Sequence, residues 1–66
     1  MANSMIARII GRYVAMEDVR IDVGEQEISV YVPPQSLSVV VKRCRKKLQK
    51  LEERLGARIL LRPLVS

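Results

Sequence analysis

Between Ser36 and Gly56 no residue breaks a helix, and the apolar positions Leu37, Val41, Cys44, Leu48, Leu51 and Leu55 recur at alternating steps of four and three. That spacing is a heptad seam, which keeps one face of a helix apolar over its whole length. Periodicity alone draws a single helix over 36–55. Such a helix would be about 30 Å long at 1.5 Å per residue. A strand of about six residues covers only about 20 Å. A straight helix would therefore overhang any sheet a short chain can build, unless another subunit covered the excess. Propensity favours one helix and length favours two. For a compact monomer the length argument predicts a turn near residues 42–45.

The rest of the chain supplies the sheet. Val19, Ile21 and Val23 alternate with Arg20 and Asp22, and Ile28, Val30 and Val32 alternate with Ser29 and Tyr31. Two period-2 runs joined by a short loop containing Gly24 read as a β-hairpin with one buried face. Pro33 and Pro34 lack N–H donors and end the second strand. Gly56 suits the residue that terminates the following helix. The segment "ARILLRP" reads as a last strand stopped by Pro63. Ahead of the hairpin, Ile6, Ile9, Ile10, Tyr13 and Val14 form a helical stripe, with Ser4 as its N-cap and Gly11 as an internal cost of about 1 kcal/mol.

Strand, helical crossover, strand makes the second and third strands parallel. The expected fold is a single α+β domain over 1–66, a two-layer sandwich in the order α-β-β-α-α-β. A small three-stranded mixed sheet is covered on one face by helices.

The formal charge is +5 in 66 residues. Lys42, Arg43, Arg45, Lys46, Lys47, Lys50 and Arg54 outnumber Glu52 and Glu53 by that amount, and elsewhere arginines and acids balance. The whole excess sits on the seam-bearing segment. Concentrated positive charge is the footprint of a polyanion partner. The bland alternative is the solvated face that any amphipathic helix needs.

From Ile28 to Leu64 the chain resembles a KH domain, most closely the C-terminal KH-like module of archaeal PilT-type ATPases that carry a PIN domain. The likeness lies in "VYVP", "LQKLEERLG" and "RPL". It implies a helix and hairpin strand over 4–23 before a β-α-α-β core over 27–64. It also implies an accessory role in a nucleic-acid-processing ATPase. Aligned on "LEERLG", the family's Gly-x-x-Gly loop falls on Lys42, Arg43, Cys44 and Arg45, none of them glycine. That loop lets the backbone approach phosphates closely, which side chains obstruct. Any grip here would come from charge, with Lys42, Arg43, Arg45, Lys46 and Lys47 as the expected contacts.

The expected function is weak RNA or single-stranded DNA binding with little sequence preference, because phosphate contacts carry little sequence information. The rival is a homo-oligomerisation or docking module, supported by the long seam. Tyr31 is the candidate for base stacking on an exposed sheet face; the commoner role of such a tyrosine is to cover the sheet edge. Cys44, on the seam, reads as a small buried hydrophobe. The chain has no histidine and no motif for a nucleophile or phosphate loop, so no enzyme activity, metal or cofactor is expected. One cysteine and no secretory or membrane-spanning stretch suggest a reduced, cytoplasmic setting.

Overall fold

A computed structural model describes residues 2–65. Helix α1 (Ala2–Ile10) is followed by a single 3-10 turn (Met16–Asp18), strands β1 (Arg20–Val23) and β2 (Glu27–Val32), helix α2 (Pro34–Leu55) and strand β3 (Arg58–Pro63). The sheet order is β1-β2-β3. β1 pairs antiparallel with β2, Val23 facing Ile28, and β2 pairs parallel with β3, Ile28 facing Ile59. The fold is α+β, with a three-stranded mixed sheet and helices on one face.

The hairpin forms where the alternation predicts. Ile28, Val30 and Val32 are buried, and Glu27, Ser29 and Tyr31 lie on the other side. Gly24 N–H donates to the Glu27 carbonyl at 2.8 Å and closes the turn. Pro34 occupies the first helical position of α2, where its missing N–H has no intrahelical partner to lose. Gly56 ends that helix in the left-handed region, φ 68°, and its N–H donates to the Glu52 carbonyl at 2.8 Å. The Glu52 side chain accepts a further 2.6 Å bond from the Ile59 N–H, tying the last turn of α2 to β3.

The turn expected at Lys42–Arg45 does not exist: α2 runs unbroken for 22 residues. The order is therefore α-β-β-α-β, and no loop forms at the position where the resemblance places Gly-x-x-Gly. The reason is burial along the helix. Val40, Cys44, Leu48 and Leu51 are each at most 5% exposed. They are covered by the sheet and also by α1, which lies alongside α2 so that the Cys44 Sγ–H reaches the Ile9 carbonyl at 3.7 Å. A break would strand up to four N–H and four carbonyl groups at the new ends, with no glycine there to ease the turn.

Two details of α1 also depart from expectation. The helix begins at Ala2, so Ser4 sits inside the first turn rather than capping it. It ends at Ile10, after which Tyr13 and Val14 N–H groups both return to the Ile10 carbonyl. Val14 stays buried through that turn, while Tyr13 is 38% exposed. Gly11 marks the end because a Cβ there would stand 2.5 Å from the Ala7 carbonyl oxygen. Helix propensity says Gly11→Ala stabilises by about 1 kcal/mol; the close approach predicts the opposite sign, a loss of about 1–3 kcal/mol. Urea unfolding of the two proteins decides between them, and a stabilised variant contradicts this account of the helix end.

Candidate functional site

The continuous helix fixes where each cation goes. With Val40, Cys44, Leu48 and Leu51 turned inward, Arg43, Lys47, Lys50 and Arg54 follow one another at steps of four, three and four. Residues so spaced share one face, with neighbouring Cβ atoms about 5–6 Å apart. The four therefore form a stripe of about 16 Å along the flank of α2. That flank faces α1. A groove of about 220 Å³ between the helices is lined by Met5, Arg8 and Ile9 of α1 and by Lys47, Lys50, Leu51 and Arg54 of α2. Its floor is apolar, its rim carries four cations, and no acid among the described residues lines it. Arg43 extends the stripe by one turn.

Of the residues singled out from sequence, Arg43 and Lys47 belong to this stripe. Lys42 and Arg45 lie on the other flank, around a shallow depression with Pro34, Leu37, Ser38 and Val41. Lys46 is exposed on the outer side. The five do not converge, because on an unbroken helix consecutive residues radiate about 100° apart. Lys50 and Arg54 were visible through their spacing from Lys47, and the expected turn hid that relation. Arg8 carried no signal, since only the docking of α1 brings it to the groove. Glu52 turns toward β3 and is engaged with the Ile59 amide, so it does not neutralise the stripe.

Tyr31 lies on the opposite side of the molecule. It is half-buried on the open face of the sheet, with Arg20 opposite on β1 and Arg62 opposite on β3. Among the described residues, no group of three or more His, Cys, Asp or Glu is placed to hold a metal ion, and no helix is long and apolar enough to cross a membrane. No family model, curated protein or solved structure matches the chain.

Cys44 packs under the groove at 1% exposure. Burial pushes its thiol above the ordinary value of 9.0, and the Lys47 charge pulls weakly the other way. A protonated, covered thiol is a poor nucleophile. Thiol labelling at neutral pH should therefore proceed only through opening of the fold and slow as the protein is stabilised. Labelling as fast as that of the denatured chain contradicts the packing. The shift also has a sign in stability. Above the ordinary thiol value the unfolded chain loses its proton first, so stability falls as pH rises through that window. A Cys44→Ala variant should lack this particular loss.

Proposed function

We propose that the protein binds single-stranded nucleic acid, with phosphates held by Arg43, Lys47, Lys50 and Arg54 of α2 and by Arg8 of α1. The observation that carries the reading is the acid-free groove, with cations around an apolar floor of Met5, Ile9 and Leu51. Guanidinium and ammonium groups suit phosphate oxygens. The apolar floor suits the face of an unstacked base, which a duplex does not offer. The mode differs from a KH clamp: the grip is side-chain charge on a rigid helix pair, without close backbone approach. The resemblance over Ile28–Leu64 adds support for a nucleic-acid role, and an accessory place in a PIN-domain ATPase is proposed on that resemblance alone.

Self-association is the second reading. Val41, 40% exposed, stands with the half-buried Leu37 on the flank of α2 beside the free edge of β3. The seam from Cys44 to Leu51 is already covered by α1 and the sheet, so only its Leu37–Val41 end argues for a partner.

Salt dependence tests the first reading with a charge-matched control. Each phosphate contact on a single strand contributes a log–log slope of about −0.7, so five contacts give about −3.5. Replacing Lys47, Lys50 and Arg54 together with alanine should flatten the slope by about 2 and weaken binding at low salt. Replacing Lys42, Arg45 and Arg58 with alanine removes the same charge away from the stripe and should leave the slope close to that of the parent. Equal losses in the two triple variants contradict a localised site. Absence of binding at low salt, with a mass that rises with concentration in sedimentation, favours self-association instead.

A further inference from the structure

The sheet face turned away from the helices carries a second arrangement that the groove does not use. Arg20, Tyr31 and Arg62 form one cross-strand row, since Tyr31 is the register partner of Arg20 on β1 and of Arg62 on β3. Adjacent strands lie about 4.8 Å apart, so a single aromatic ring sits between two guanidinium-bearing strands. The next row on the same face is Asp22, Ser29 and Leu60. Arg20, Asp22 and Tyr31 line a cavity of about 380 Å³, closed on one side by Pro63, Leu64 and Val65. The Leu64 N–H donates to the Val32 carbonyl at 2.7 Å, which holds this wall beside the end of β2. Arg20, Asp22 and Arg62 are exposed.

We infer that this face is a nucleobase-binding site: one base of a single strand stacks on Tyr31, the flanking phosphates meet Arg20 and Arg62, and Asp22 accepts a hydrogen bond from the base's exocyclic amino group. An aromatic ring half-exposed on a sheet offers a stacking surface to any base. The two arginines supply the charge that a stacked nucleotide's neighbouring phosphates need. The carboxylate is an acceptor suited to an amino-bearing base such as cytosine. The inference shares with the groove the reading that the ligand is single-stranded nucleic acid. It concerns the opposite face of the molecule, so a short oligonucleotide cannot occupy both sites at once without wrapping around it.

The test uses a deoxycytidine tetranucleotide and the full chain carrying Tyr13→Phe, so that Tyr31 is the only tyrosine emitter. Titration at about 200 mM salt, where purely ionic binding is suppressed, should quench Tyr31 fluorescence in a saturable way. Tyr31→Leu keeps an apolar cover on the sheet and removes the stacking ring. In an end-labelled anisotropy assay it should lower affinity about ten-fold or more, while Tyr31→Phe should bind like the parent. Asp22→Asn should reduce the preference for deoxycytidine over thymidine tetranucleotide. The alanine triple variant of Lys47, Lys50 and Arg54 should leave the quenching intact, which separates this site from the groove. Loss of quenching in that triple variant, or equal affinity of a folded Tyr31→Leu variant, overturns the proposal and leaves the groove standing. Quenching with no groove-dependent salt slope keeps this site and removes the groove.

Discussion

Everything in this molecule hangs on the burial of one face of α2 from Val40 to Leu51. Val40, Cys44, Leu48 and Leu51 are closed off by the sheet and by α1, and each large apolar side chain so buried is worth roughly 1.5–3 kcal/mol. A small domain has little stability to spare. It cannot forgo two of these contacts for the sake of a turn in the middle of the helix. Continuity of the helix is thus a consequence of core size, and it determines the rotational position of every cation.

That rotation separates the charges into two sets. The stripe of Arg43, Lys47, Lys50 and Arg54 stands beside α1 and gains Arg8, whereas Lys42 and Arg45 stand on the other flank. Cys44 contributes to the same geometry. Its small side chain reaches the Ile9 carbonyl and lets the two helices lie close enough for their cations to rim one groove. Glu52, the acid nearest in sequence to Lys50 and Arg54 apart from Glu53, is occupied at the start of β3. The sheet's other face remains open, which leaves Tyr31 and its two arginines available to solvent.

Much of the fold was legible because short-range chemistry decides it. Period-2 alternation gave the hairpin, Pro33 and Pro34 gave the strand end and helix start, and Gly56 gave the helix stop. The parallel pairing of β2 and β3 followed from the crossover. The break in α2 was misjudged for a long-range reason. The sheet alone is too short to cover such a helix, and the docking of α1, which covers the remainder, is invisible in local pattern. The site depends on the same docking. Arg43 and Lys47 were legible in the basic run, Lys50 and Arg54 only once the helix is continuous, and Arg8 only once α1 is in place. Gly11 misled in another way: propensity scales record its entropy and say nothing of the Ala7 carbonyl that needs the space.

Amide hydrogen exchange across Lys42–Lys46 tests the central claim most directly. A continuous, packed helix predicts protection there equal to that of the flanking turns around Val40 and Leu48, lost only with global unfolding. Amides at 42–45 that exchange far faster than those on either side would contradict it, and with it the alignment of the cationic stripe.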